Sequence, residues 1–232
     1  MVGTLASSLA AVQGRIDTAA QKAGRDASSI RLMAVTKGFP RETVEDARAA
    51  GLSLFGENRV QEAEQKYLDL PGTFELHLIG HLQRNKARPA AGLFACVQSI
   101  DKEETAAALE AQCAARGRTM DVLIELNTSG ESSKSGFPAR GEALAVCDAI
   151  ARMAHLRVRG LMTVGPLSED QRLIHASFAA LRSLYEEIRS GDDFPYFDTL
   201  SMGMSGDFEA AIEEGATLVR IGSALFGQRG PL

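Results

Sequence analysis

Two groups of residues in this chain have the types and spacing to do chemistry. Lys37 closes the apolar run Leu32-Met33-Ala34-Val35-Thr36, which sets a long amine at the end of a segment that reads as a buried strand. An amine held in a partly desolvated site has a lowered pKa and can condense with an aldehyde to a Schiff base. Taken alone, a lysine in this position is more often a surface residue marking the strand's exit into solvent. The second group lies in Thr199–Gly227, where Ser201, Gly203, Ser205, Gly206, Gly222 and Ser223 surround two short apolar runs, with Arg220 between the two loops. Small residues let phosphate oxygens reach backbone N–H groups, and a helix N-terminus favours negative charge there. Gly and Ser also serve tight turns for backbone reasons alone. Phosphate binding is preferred because both loops carry the pattern. Ser205 is expected to cap a helix running through Glu214.

A Schiff-base lysine combined with a phosphate cradle suggests one ligand, pyridoxal 5′-phosphate (PLP). A Schiff-base aldolase taking a sugar-phosphate aldehyde is another chemistry open to the same pair.

The remaining candidates carry less. His77 and His81 share one face of a strand, with no Cys or carboxylate at metal-ligand spacing, and read as structural histidines. The segment Gly130-Glu131-Ser132-Ser133-Lys134-Ser135-Gly136 lacks the Gly-Lys-Ser/Thr ending of a nucleotide P-loop, so ATP binding is rejected. Lys134 is expected in a βα loop at the mouth of the fold. Gln83-Arg84-Asn85-Lys86 with Arg88 forms a small basic patch that reads as a solvated helix start or a contact surface.

These residues need a scaffold, and the chain alternates strand-like and helix-like segments. After a leading helix around Thr4–Ala23, strands are expected at Arg31–Thr36, Ser53–Glu57, Phe74–Gly80, Leu93–Ile100, Met120–Asn127, Leu156–Val164, Thr199–Gly203 and Leu218–Gly222. Helices are expected at Pro40–Ala50, Asn58–Leu68, Lys102–Arg116, Pro138–Met153 and Ser168–Ser190. Pro40, Asp101, Pro138 and Ser168 stand at their starts, and Gly51, Gly117 and Gly191 at their ends. This α/β pattern fits either an open doubly wound sheet or a closed barrel. No G-x-G-x-x-G turn follows the first strand, where Lys37-Gly38-Phe39-Pro40 stands instead. A (β/α)8 TIM barrel typically uses about 250 residues, and one such domain over residues 1–232 is the preferred architecture. Its reactive groups belong at the C-terminal ends of the strands, where Lys37, Asn58, His81, Asn127, Thr163, Ser201 and Arg220 fall.

Composition narrows the function classes. The 232 residues are 45% hydrophobic and 24% charged with a net charge of −5, which argues against disorder, a broad nucleic-acid footprint or an anionic membrane surface. No apolar run is long enough to span a membrane, and no signal peptide is read at the N-terminus. Three cysteines without pairing or metal spacing suit buried thiols in a reducing compartment, so a cytoplasmic protein is expected.

The chain resembles the YggS/PROSC family of PLP-binding proteins, the PLP homeostasis proteins, across essentially its whole length. The matching stretches are Ala34-Val35-Thr36-Lys37, Phe55 through Glu62, His77 through Lys86, Asn127 through Glu131, Lys134, Gly136-Phe137, Gly160 through Thr163, Leu200 through Ser205 and Val219 through Gly222. The resemblance implies a barrel similar to the N-terminal domain of alanine racemase, with Lys37 as the Schiff-base lysine. It further implies Ser201, Gly222 and Ser223 at the phosphate, Ser205 in the same shell, Arg220 at the pyridine nitrogen and Asn58 near the ring. Thr36 stands where serine is common, and Gly38-Phe39 replaces a second lysine of many relatives. Alanine racemase takes its second base from a tyrosine in a further domain. This chain is short for such a domain, and Tyr67, Tyr185 and Tyr196 are poorly placed. The expectation is a PLP carrier or buffer in vitamin B6 and amino-acid homeostasis, with PLP-dependent apoenzymes as partners and a racemase as the alternative. Oligomeric state stays open between monomer and weak dimer.

Overall fold

Short aliphatic runs separated by helices are laid down as strands that pair in chain order. The structure is a computed structural model that describes residues 2–131, 134–138, 140–191 and 193–228. Ser132 and Ser133 of the Gly130–Gly136 segment and the last residues of the expected domain, 229–232, lie outside the described residues.

The strands are β1 (Arg31–Val35), β2 (Leu54–Glu57), β3 (Glu75–Leu78), β4 (Cys96–Ile100), β5 (Met120–Glu125), β6 (Leu156–Met162), β7 (Thr199–Ser201) and β8 (Leu218–Ile221). All neighbours are parallel, and β8 returns to β1 through the register Leu32↔Val219, so the sheet closes. Parallel neighbours need crossovers, here made by α2 (Arg41–Ala49), α3 (Val60–Tyr67), α4 (Ala87–Leu93), α5 (Glu103–Ala114), α6 (Arg140–Ala151), α7 (Gln171–Arg189) and α8 (Phe208–Glu213). A leading helix α1 (Val2–Lys22) and a final turn α9 (Ser223–Phe226) complete the order. Leu5, Val12, Ile16, Ala19 and Ala20 recur at helical spacing and bury one face of α1. That face packs against α8 and α9, with Arg15–Glu209 and Lys22–Glu213 ion pairs at its edge.

The (β/α)8 barrel expected from the sequence is the architecture found. Alternation along the strands divides their side chains between two surfaces. Ala34, Phe55, Leu76, Val97, Val122, Leu161 and Val219 face the helices and join the main core. Met33, Val35, Leu54 and Leu218 pack together inside one half of the barrel, and Cys96, Leu123 and Met162 inside the other.

Helix starts shift from Asp101 to Lys102 and from Pro138 to Arg140, and three larger details differ from the sequence expectation. The run expected as a strand from Leu93 is divided, because Ala87–Leu93 form α4 and Phe94 is the extended residue that ends it. Pro89 does not prevent this helix, since its missing N–H falls in the first turn, where no intrahelical acceptor exists. Second, α7 is capped by Asp170, whose carboxylate accepts from Arg172 N, while Ser168 Oγ accepts from Asp170 N at 3.0 Å. Third, Ser205 does not cap a helix of its own. The helix after β7 begins at Phe208, and Asp207 Oδ1 turns back to accept Met204 N at 2.6 Å.

Candidate functional site

The inward parity of Met33 and Val35 carries Lys37 to the mouth at the C-terminal end of β1. Its Nζ donates to Asn58 Oδ1 at 3.3 Å, so the residues just past β1 and β2 meet there. Gly80, after β3, makes this possible: a Cβ on it would lie 2.4 Å from Asn58 O.

The main chain on both sides of Lys37 is clamped by α3. Lys66 Nζ donates to Thr36 O at 2.7 Å, and Glu62 Oε1 accepts Gly38 N at 2.6 Å. The two clamping side chains pair with each other at 2.6 Å, one helical turn apart. Beneath them lies Glu57, fully buried, whose Oε1 accepts from Lys66 Nζ at 3.0 Å and from Thr36 Oγ1 at 2.7 Å. Tyr67 OH also meets Thr36 Oγ1, at 2.6 Å. Burial raises the Glu57 carboxyl more than the Lys66 ammonium lowers it. At Glu62 burial also acts upward, but hydrogen bonds from Lys66 and Gly38 outweigh it and hold the carboxyl low. The sequence reading missed Lys66. Its signal was its position on α3, beside Ala63 and Tyr67 on the buried face.

On the far side of Lys37's strand, the β7 and β8 loops are joined by Ser205. Gly203 takes φ +91°, and a Cβ on it would lie 2.6 Å from Ala211 Cβ, so the turn passes tightly over α8. That directs Ser205 toward β8. Its Oγ accepts from Gly222 N at 3.3 Å and from Ala224 N at 3.2 Å. Two backbone donors around Gly222-Ser223 thus converge on one oxygen. Such a donor set suits an oxyanion of a phosphate.

Behind this turn, Arg220 and Ser201 belong to a hydrogen-bonded chain across the barrel interior. The buried Arg220 guanidinium donates to Thr163 O and to Ser201 Oγ, both at 2.7 Å. Ser201 Oγ donates to Gln98 Oε1 at 2.7 Å, and Gln98 Nε2 reaches His77 Nδ1 at 2.8 Å. His77 Nε2 in turn meets Glu75 Oε1 at 2.7 Å. Both ring nitrogens of His77 are thus engaged, Nδ1 by Gln98 and Nε2 by Glu75. His77 is therefore a satisfied structural histidine, as expected, and Gln98 is a member that spacing did not reveal. Burial lowers the Arg220 guanidinium to about 10 against the upward pull of Asp207 and Glu125, so it stays charged at neutral pH.

The side of the mouth formed after β4 and β5 carries acidic groups that are partly paired. His81 Nδ1 lies 3.0 Å from Asp101 Oδ2, and Lys134 Nζ binds Glu131 at 2.6 Å and Gly165 O at 2.8 Å in the β5–α6 loop. Buried Glu125 is raised from 4.5 to about 7 by desolvation and by the Asp101 charge, with Arg220 opposing. A carboxyl raised in the folded state binds protons more tightly than the unfolded chain, so its contribution to stability falls as pH rises from about 4.5 to 7. A displacement of that size is about 3 kcal/mol at full ionisation. Glu125→Gln should therefore be more stable than wild type by roughly 1–3 kcal/mol at pH 8, converging with it near pH 4–5. Denaturant unfolding at both pH values checks this; a difference independent of pH refutes it.

Among the described residues no tyrosine sits across the mouth from Lys37. Tyr67 lies between β1 and α3, and Tyr185 is buried on α7 against Phe197. Tyr196 is exposed before β7, at the opposite end of the barrel, with Arg157 over its ring. The described residues also hold no cluster that could bind a metal, and no helix long and apolar enough to cross a membrane.

A closed barrel with a lysine at the end of its first strand and converging N–H donors after its last falls in one fold class, the barrel of the alanine racemase N-terminal domain. The profile described as "Alanine racemase, N-terminal domain" matches residues 7–230. An alanine racemase of Clostridium difficile superposes with a TM-score of 0.80 at 11% identity, over 99% of this chain and 57% of that one, which shows the shared fold. The chain belongs, within that class, to the pyridoxal phosphate homeostasis protein family. The Pseudomonas aeruginosa protein of that name is 45% identical over 98% of this chain and 97% of its own length, and the Escherichia coli K12 protein 40% identical over 97% of each. PipY of Synechococcus elongatus, solved with PLP bound, has a TM-score of 0.82 at 32% identity, covering 96% of this chain and 100% of that one.

Proposed function

We propose that this chain binds PLP and acts as a carrier or buffer in vitamin B6 and amino-acid homeostasis. The observation that carries the reading is the Lys37 amine at the barrel mouth, held on its main chain by Glu62 and Lys66, within a barrel whose last turn presents converging N–H donors. When bound, PLP supplies an aldehyde that condenses with a lysine amine and a phosphate that anchors the ring. In this reading Lys37 is the covalent anchor, and Asn58 orients its amine. Gly222 and Ser223, with Ser205 beside them, hold the phosphate through backbone and hydroxyl donors. Arg220 sets a fixed positive charge at the ring nitrogen. The Ser201 proton is committed to Gln98, so this residue acts chiefly by fixing Arg220.

An arginine at that nitrogen disfavours its protonation and weakens the ring as an electron sink. That charge and the placement of the three tyrosines support holding the cofactor over turning substrate over. We further assign PLP-dependent apoenzymes as recipients and the cytoplasm as location; free, buried cysteines suit a reducing compartment. The test is an absorbance spectrum of the purified protein with PLP, before and after borohydride, followed by peptide mapping. An imine band converted to a stable adduct on the Lys37 peptide is expected. No band, or an adduct elsewhere, refutes the reading.

A further inference from the structure

The basic patch Gln83–Arg88 has no part in the site described so far, yet its surroundings are unusual for a chain of net charge −5. Among the described residues, Arg59, Arg84, Lys86, Arg88, Lys102 and Arg152 are the cationic side chains with no hydrogen bond, ion pair or ring contact. All but Arg152 occupy the segments that follow β2, β3 and β4, on the same end of the barrel as Lys37. Arg59 and Lys86 line one cavity of about 430 Å³ together with Asn58, Gln61, His81 and Gln83. Asn58 is also the side chain that accepts from Lys37 Nζ. The nearby carboxylates are already engaged, Glu62 by Lys66 and Gly38, Asp101 by His81. Arg59 also helps hold the Glu62 carboxyl low through its charge, without an ion pair, while Lys86 has no such partner among the described residues. The cavity therefore offers positive charge outside any ion pair and amide donors directly beside the amine.

We propose that this cavity is a second, non-covalent anion subsite, in which Arg59 and Lys86 take the phosphate of a phosphorylated aldehyde before it reaches Lys37 and again as it leaves. The inference rests on the reading of Lys37 as the PLP anchor. Cations fixed along the path raise the local concentration of an anionic ligand. A way-station between solvent and the final site lowers the barrier in both directions and leaves the final occupancy unchanged. It would suit a protein that must give its ligand up as well as hold it.

The test compares the full-length wild type with Arg59→Gln/Lys86→Gln by stopped-flow absorbance, in low salt, with PLP as the ligand. Loading and release should both slow by about ten-fold in the double variant, with the loaded fraction at saturation unchanged. Inorganic phosphate should slow wild-type loading more than the variant's, whose remaining sensitivity comes from the Gly222-Ser223 turn alone. Pyridoxal, which lacks the phosphate, should load both proteins equally, and Arg152→Gln should load PLP at the wild-type rate. A double variant with the wild-type PLP rate and phosphate sensitivity overturns the subsite. A double variant that loads normally but transfers PLP slowly to an apoenzyme also overturns it, assigning the rim to a protein partner. If wild type takes no aldehyde on Lys37, the anchor reading falls instead. The subsite is then read by ³¹P line broadening of inorganic phosphate, which must weaken in the double variant.

Discussion

Lys37→Ala is expected to abolish covalent retention of PLP while leaving the barrel folded. Lys37 is half-buried at the strand end, where its amine donates to Asn58 at 3.3 Å, long for N–H···O. Truncation should change stability by no more than about 1 kcal/mol. The effect on the ligand should be far larger, since the proposed covalent anchor is removed and only the proposed phosphate and ring contacts are left. Retention after dialysis should fall at least about 100-fold, a loss of about 2.7 kcal/mol or more in binding. Lys37→Arg separates nucleophile from charge: it keeps a cation at the mouth but cannot condense, and should lose the imine band as completely as alanine does. Absorbance and borohydride trapping report both variants. An imine band that survives in either would move the anchor to another lysine.

Lys66→Ala should be among the most destabilising substitutions in the barrel's helices. Lys66 is buried, and its ammonium serves Thr36 O, Glu57 and Glu62 at once. Removing one partner of a buried ion pair strands the others, at a cost of about 3–5 kcal/mol. For a domain of this length that is a fall in melting temperature of roughly 6–20 °C. Glu57 makes the penalty acute, because among the described residues its Oε2 already lacks a partner and Lys66 is its one counter-charge within hydrogen-bond reach. Adding Glu57→Gln to Lys66→Ala should recover part of the loss, as expected when an uncompensated charge is the cause. Calorimetry on the single and double variants measures both effects. A melting point within about 2 °C of wild type for Lys66→Ala would show that the clamp contributes little.

Much of the fold was legible because its signals are local. Continuous aliphatic runs such as Leu32–Val35 and Val122–Ile124 mark strands covered on both faces, and the Ala-rich segments between them mark the crossovers. The exception is instructive. In Ala87–Val97 an apolar stretch serves first as helix and then as strand, and a short apolar run does not distinguish the two without its packing partners. Lys37 and the Gly222-Ser223 turn were legible for the same local reason: each combines a strand end with a distinctive chemistry.

The sequence by itself determined the alternation of elements, the position of Lys37 at the end of β1 and the small-residue turns after β7 and β8. Only the tertiary structure decided how these communicate. Closing the sheet brings β3, β4, β7 and β8 into one interior layer, so that Arg220, Ser201, Gln98 and His77 form a single hydrogen-bonded chain although they are spread from residue 77 to 220. Likewise Ser205 turns from its own helix to the backbone of Gly222 and Ala224, and Lys66 reaches Thr36 across the barrel wall. The physical reason is the reach of the forces. Periodicity and turn chemistry act over a few residues and fix the elements. Hydrogen-bond partners and uncompensated charges are set by register and closure, which bring distant residues within 3 Å or so of each other.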